Sequence, residues 1–380
     1  MRNPLSAHPP WRQLLIVTVL LPTIIVLAVL AFAWPAARIA PRNLPVGIVG
    51  TGAAREGAAA ALNAAEPGGF DLHRYADDTS ARSAIRRRDV YGAFVVTGSD
   101  ITVLEASAAA PTVAQLLSTT GQQLARRTAG PTASGQGAGI AVKTVDVVAS
   151  SAGDPRGLVL SSSLLPLTIC SIIIASVIGL IVGFRPAWRQ VVALTVVSAV
   201  AGLGAYLIAE TFLGALPQDH LATWAALALT MLAISTATAG LIALVGTAGF
   251  ALAAVLMVFV GNPFAGVTSA PQLLPGLVDH LGQWLPPGAG ANLLRSTAYF
   301  NGNGAAGHLI VLLLWTAFGI SANVVGHHTS TRFAAHPEQR AARTPRDVER
   351  RGHSPAAHRD PQAPRFVLGG HHRTGAHQAG

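Results

Sequence analysis

Long apolar runs with almost no charge alternate along this chain with short polar breaks and one long polar stretch. Residues 14–33 are apolar and interrupted only by Pro22. Residues 158–183 and 190–209 form two more runs, separated by a break that holds Arg185 and Arg189. Residues 221–261 stay apolar for twice the length of one crossing and are expected to fold back near 246–249, at Gly246-Thr247-Ala248-Gly249. Residues 309–325 make the last run. A stretch of 18 or more apolar residues is long enough to cross a bilayer as a helix. None of these runs carries the polar face that a helix of a soluble protein would need. The pattern therefore predicts an α-helical polytopic membrane protein of about six spans.

The polar stretch, 35–157, follows different rules. Its charges are nearly balanced, and short alternating runs replace the long apolar ones. Pro45 to Val49, Phe70 to Tyr75, Tyr91 to Val96, Ile101 to Leu104 and Val142 to Val148 read as strands. Ala53 to Ala65, Thr79 to Arg88 and Pro111 to Arg127 read as helices, with Asp77, Asp78 and Thr79 available to cap the second. Ile101 to Leu104 follows Tyr91 to Val96 after a Gly-Ser-Asp turn, consistent with a hairpin. The order β-α-β-α-β-β-α-β predicts a small α/β domain with partly parallel strands, inserted after the first span.

The region 262–305 fits neither pattern. Leu273, Leu274, Leu277, Val278, Leu281 and Trp284 recur at helical spacing, interrupted by Asp279, His280 and Gln283. Pro271, Pro275, Pro286 and Pro287, with Gly288 and Gly290, rule out one continuous span. Irregular backbone survives at membrane depth only when it is buried in protein or lines a wet cavity. The expectation is a re-entrant segment folded against the spans, with Trp284 at the headgroup level. The candidate substrate path or gate is Glu210, Asn262, Pro263, Pro286, Pro287, Gly288, Gly290, Asn292 and Arg295. Asn262, Pro263, Asn292 and Arg295 could line an exit or cap broken helices. Arg295 could attract an anionic headgroup or sugar, or simply snorkel to water. Glu210, at a span end, is expected to reach solvent.

Charge then sets the orientation. Nine of the 26 Lys and Arg lie after residue 325, and Arg185 and Arg189 sit in the break after the second run. Segments 210–220 and 262–305, on the other side, hold only Arg295. The positive-inside rule therefore expects residues 1–12 and the tail in the cytoplasm and 35–157 outside. Ala31-Phe32-Ala33 resembles a signal cleavage site, but the apolar run is longer than a signal core, so an uncleaved anchor over 1–34 is expected. The tail, 326–380, is rich in Arg, His, Pro and Gly and is expected to be disordered.

Chemistry is sparse. The formal net charge of +9 comes largely from that tail, which offers no scaffold for a nucleic-acid face. The single Cys170 excludes an intramolecular disulfide. The irregularly spaced histidines of the tail do not describe a metal site. There is no GxxxxGK[ST], HExxH or GxSxG, and Gly50-Thr51-Gly52 lacks the rest of a dinucleotide fingerprint. Ser161, Ser162 and Ser163 have no base beside them. No catalytic residue, metal or cofactor is expected.

One span, an outer domain, then five spans with a broken hairpin before the last is the layout of the second-class ABC-type export permeases. The stretches Asn262 to Gly266 (NPFAG), Ser269 to Pro275 (SAPQLLP), Trp284 to Gly290 (WLPPGAG) and Leu294 to Phe300 (LRSTAYF) resemble the actinobacterial branch of that superfamily, related to phage infection proteins and a fungal drug-resistance membrane protein. The resemblance covers 12–325. It implies a permease subunit that pairs as a homodimer or with a second permease. It also implies coupling to a separate cytoplasmic ATPase and export of a lipid-like, polysaccharide or hydrophobic drug substrate. The amphipathic helix and cytoplasmic loop by which such permeases meet the ATPase are reduced here to 1–12 and 184–190. The alternative is a non-transporting membrane scaffold or surface receptor acting through its outer domain.

Overall fold

A computed structural model of the chain describes residues 11–97, 100–128, 142–182, 187–217 and 219–341. The chain divides into units of 1–329 and 330–380, and the account below concerns the first. Residues 1–10, Arg185, the 98–99 part of the hairpin turn and the tail beyond 341 lie outside the described residues.

Six helical segments are long and apolar enough to cross a membrane: Leu15–Ala37, Leu158–Ile181, Ala187–Phe212, His220–Val245, Thr247–Phe264 and Ala305–Gly326. Their length and composition make this a membrane protein. The first belongs to α1 (Trp11–Ala37), which continues through both Pro22 and Pro35. Leu15 to Leu30 of α1 expose their apolar side chains almost throughout, as lipid contact requires. The next spans are α5 (Leu158–Val182), α6 (Ala187–Leu207) with a π-helical turn at Ile208–Phe212, and α7 (His220–Val245). Gly246 breaks the long apolar run with φ +67 and ψ −140, a conformation open to glycine. There α7 turns into α8 (Thr247–Ala254), which runs on as a π-helical stretch, Val255–Gly261, and ends in α9 (Asn262–Phe264).

α7 is the central helix of the bundle. Ala233 to Gly240 are all buried, and the neighbouring helices approach through glycine. Gly202 of α6 meets the backbone of Ala228, and Gly240 meets Gly319. Small residues let apolar helices pack backbone to backbone where no hydrophobic drive exists between them.

Between α1 and α5 lies a five-stranded sheet. Its strands are β1 (Leu44–Gly50), β2 (Phe70–Tyr75), β3 (Gly92–Thr97), β4 (Asp100–Glu105) and β5 (Val142–Asp146), in the order β2-β1-β3-β4-β5. β2, β1 and β3 run parallel, β3 and β4 form an antiparallel hairpin, and β5 is parallel to β4. The helices are α2 (Gly52–Ala65), α3 (Asp78–Arg87) and α4 (Pro111–Thr128). Asp77 starts α3 as expected, its carboxylate accepting from Ser80 N at 2.7 Å while Ser80 Oγ closes the capping box.

The alternation of the strands divides the core in two. Val46, Ile48, Phe94 and Val103 pack with α2 and α4. Val49, Ala93 and Leu104 point the other way, onto Ala81, Ala84 and Ile85 of α3. This second core does not end at α3. It continues into Leu216, Leu227, Leu293, Tyr299, Phe300 and Leu312, so the sheet and the helical bundle share one apolar interior.

The stretch between α9 and the last span folds as a 3-10 turn at Pro271–Leu273, then α10 (Gly276–Gln283) and α11 (Pro286–Tyr299). Pro286 and Pro287 do not merely break the chain here. They open α11, where a missing N–H costs nothing. Every residue of α11 is buried, although its sequence, PPGAGANLLRSTAY, has weak intrinsic helix preference. Packing sustains it. The final helix, α12 (Ala306–Ala341), runs past 325, so the first residues of the expected disordered tail are helical.

Candidate functional site

The hairpin of α10 and α11 is inserted between the sheet and the spans. Its tip is tied down by Trp315, whose Nε1 donates to Trp284 O at 2.8 Å. Trp315 stands nine residues into α12, which at 1.5 Å per residue puts the tip about 14 Å along that helix. Gly290 meets the side chain of Thr230, ten residues into α7. At the other end, Tyr299 OH donates to Ala215 O, and Asn303 Nδ2 donates to Arg86 O at 3.2 Å. α10 meets α9 and α11 through glycine: a methyl added at Gly282 would run into Phe264 O of α9, and one at Gly288 of α11 into Gly282 O.

Asn292 is the hub of the polar contacts. Its Nδ2 donates to Gln283 Oε1 at 2.6 Å, joining α11 to α10. Its Oδ1 and its backbone O accept from Arg88 at 3.0 and 3.1 Å. Arg88 also donates to Ser296 Oγ and lies over the Phe300 ring, 5.3 Å from the centroid. Arg88 caps α3 in the left-handed conformation, φ 65, where glycine is the usual residue. Burial lowers the guanidinium's pKa, but from a starting value so high that it remains charged. Tyr91, beside it, donates to Gln272 Oε1 at 2.9 Å, and burial raises its phenol.

Arg295, one turn along α11, is 4% exposed. The alternative that it snorkels to water is therefore corrected. Its Nη2 donates to Val267 O at 2.9 Å, inside the protein. Carbonyls of the irregular 265–270 stretch have no helical N–H to accept from, and Arg295 takes up one of them. Among the described residues, neither Arg88 nor Arg295 forms an ion pair with a carboxylate.

Spaces border the hairpin on two sides, and another lies beside α1. A polar cavity of about 850 Å³ is walled by Arg42, Arg88, Tyr91, Gln272, Gln283, Asn292 and His308, with Asp89 and Asp279 also on its wall. An apolar cavity of about 270 Å³ lies between α5, α6, α7 and α11, with Gly290 and Leu294 on one side and Pro166 and Leu167 on the other. A third, of about 350 Å³, runs between Phe32 and Pro35 of α1, Ser161 and Ser162 of α5, and Asn262 and Pro263.

The residues expected to form one path are thus divided. Pro286, Pro287, Gly288 and Gly290 build the tip and the close packing of α11. Asn292 and Arg295 form its polar side. Asn262 spends its Nδ2 on Met257 O at 2.9 Å, a carbonyl within the π-helical stretch, and with Pro263 borders the cavity beside α1. Glu210 stands apart in its π turn, 4.0 Å from His220 Nδ1, with its side chain 30% exposed. Ser161 and Ser162 return their hydroxyls to carbonyls of their own helix. Arg88, Tyr91, Gln272, Gln283 and Ser296 were not among the site residues expected from the sequence, where Gln283 stood only as a polar break in the 273–284 helix. The signal for Arg88 was weak: an arginine where a helix stop favours glycine, inside an Arg-Arg-Arg-Asp run that reads as solvated surface.

Compared with family models, curated proteins and solved structures, the chain matches none.

Proposed function

We propose that this chain is the membrane subunit of an exporter, with the α10–α11 hairpin as its outer gate. The observation that carries the reading is the hairpin itself: irregular backbone and a wholly buried helix, inserted among the spans, with a polar-walled cavity against one side and an apolar cavity against another. A bilayer tolerates such backbone only in protein or against water, and transporter sites are commonly built from discontinuous helices of this kind. The side chains around the hairpin comprise binding groups without a nucleophile–base pair, which suits movement of a substrate rather than bond-breaking.

The second-class ABC export permeases, whose layout the chain resembles, would supply the energy through a separate cytoplasmic ATPase and the symmetry through a second permease copy. The arginine bias puts the sheet and hairpin outside and residues 1–12 and the tail inside. Lipid-like, polysaccharide or hydrophobic drug substrates fit the mixed polar and apolar spaces.

The test is affinity purification of the full chain in mild detergent from its native membrane, with mass spectrometry of what accompanies it. The expected result is a nucleotide-binding ATPase subunit in stoichiometric amount, whose hydrolysis is stimulated by the chain. Recovery of the chain with surface proteins and no ATPase would overturn the exporter and favour a scaffold or receptor.

A further inference from the structure

Two arginines lie in the wall between the sheet and the hairpin, and among the described residues no carboxylate pairs with either. Arg295 is buried and Arg88 half-buried, and Arg88 bonds to Asn292 and Ser296, which stand on either side of Arg295 along α11. Their hydrogen-bond partners are carbonyls, one amide and one hydroxyl. Removing a charge from water is expensive unless an opposite charge meets it.

Hydrogen-bond arithmetic sharpens the point. A guanidinium has five N–H donors in a planar fork. Arg88 uses three: two from Nη1, to Asn292 O and Ser296 Oγ, and one from Nη2, to Asn292 Oδ1. The Nε–H and one Nη2–H are left over, on a side chain that borders the 850 Å³ cavity. The backbone strain of a left-handed arginine is further sign that the position of this side chain matters.

The cavity's acids do not take the role of counter-ion. Asp89 Oδ2 accepts from Arg87 Nε at 2.9 Å, and Asp279 Oδ1 accepts from the backbone N of His280. Arg42 adds a further positive charge to the wall but spends its guanidinium on the carbonyls of Arg38, Ala40 and Leu273.

We infer that the free edge of Arg88 binds an oxyanion, a phosphate or carboxylate, carried on the head of a membrane amphiphile. Tyr91 and Gln283 border the same space, and Asn292 holds the guanidinium in place. Phosphate and carboxylate both match the arginine fork. The amphiphile is favoured over a free anion because apolar space lies on the other side of the same hairpin, where Gly290 and Leu294 face α5. This names the substrate class for the transport reading and rests on that reading only for the direction of movement.

The experiment uses the purified full chain and native mass spectrometry from detergent, with phosphatidylglycerol and phosphatidylcholine as probes and inorganic phosphate as competitor. The expected result is about tenfold tighter retention of phosphatidylglycerol, lost in Arg88→Gln and in His308→Glu. The second variant puts a carboxylate into the cavity wall, where it answers Arg88 from inside and displaces the ligand even if the first fails to fold. Displacement by millimolar phosphate assigns recognition to the anion alone, and resistance to it assigns the whole amphiphile. Equal retention of the two lipids with no phosphate binding would overturn the inference, as would unchanged binding in folded His308→Glu. If an ATPase still co-purifies while anion binding fails, the transport reading stands and only the anion is removed.

Discussion

Asn323 of α12 donates its Nδ2 to Gln190 Oε1 of α6 at 2.9 Å, and both side chains are buried in the apolar bundle. Each keeps an unmatched atom, Gln190 Nε2 and Asn323 Oδ1. Removing one partner leaves the other buried and unsatisfied, which costs more than the bond is worth. Gln190→Leu or Asn323→Leu alone should destabilise the protein by about 1–2 kcal/mol. The double Leu variant should recover most of that loss. Thermal unfolding of the three variants in one detergent measures the coupling; a double variant as weak as the sum of the singles would show that the two residues act separately.

Gly282 sets the approach of α10 to the end of α9 and Gly288 that of α11 to α10, and a methyl on either would strike backbone oxygen. Backbone cannot move aside as a flexible side chain can, so Gly282→Ala should cost about 1–3 kcal/mol or more. Gly204 in α6 has open space around its Cα, and Gly204→Ala should be neutral or stabilise by about 0.5–1 kcal/mol. Comparing the size-exclusion profile and Tm of the two variants tests the packing. It also warns that larger residues at Gly288 or Gly290 break the fold rather than report on gating.

The sheet was legible because its signals are local. The alternation of Pro45–Val49 and the Asp77 cap are written in neighbouring residues, and the structure places a strand and a helix start there. The glycine turn near 246 was legible for the same reason. The polar wall was not. Arg88 contacts Asn292, 204 positions away, and no periodicity links them. Arg295 meets a main-chain carbonyl, and a carbonyl has no signature in sequence. The proline cluster at 286–287 announced a break, but that α11 forms beyond it depends on the α7, α10 and sheet surfaces that cover it.

Glu105 gives the sheet a pH dependence. Burial, followed by the neighbouring Asp146 charge, pushes its carboxyl from 4.5 up to about 7, and its Oε2 has no hydrogen-bond partner. The unfolded chain therefore ionises Glu105 first. Between pH 4.5 and about 7 the folded state binds more protons, so this group's contribution to stability falls as pH rises through that window. Glu105→Gln should raise Tm at pH 8 and leave it nearly unchanged at pH 4. A shift of equal size at both pH values would assign the effect to packing instead.

The burial of Arg295 bears on topology. The positive-inside rule counts charges that face water near span ends, and Arg295 faces protein. With it removed from the count, the described loops on the hairpin side of the five-span block keep no exposed Lys or Arg, whereas Arg189 follows the second span and nine arginines follow the last one in the sequence. The sheet's own charges weigh little, since long domains cross regardless of charge. The sheet side should therefore be outside. In a Cys170→Ser background, a cysteine at Asp100 should react with an impermeant maleimide on intact cells. A cysteine at Arg343 should react only after permeabilisation. The reverse pattern would invert the protein in its membrane and turn the proposed exit for anionic amphiphiles into an intake from the cytoplasmic leaflet.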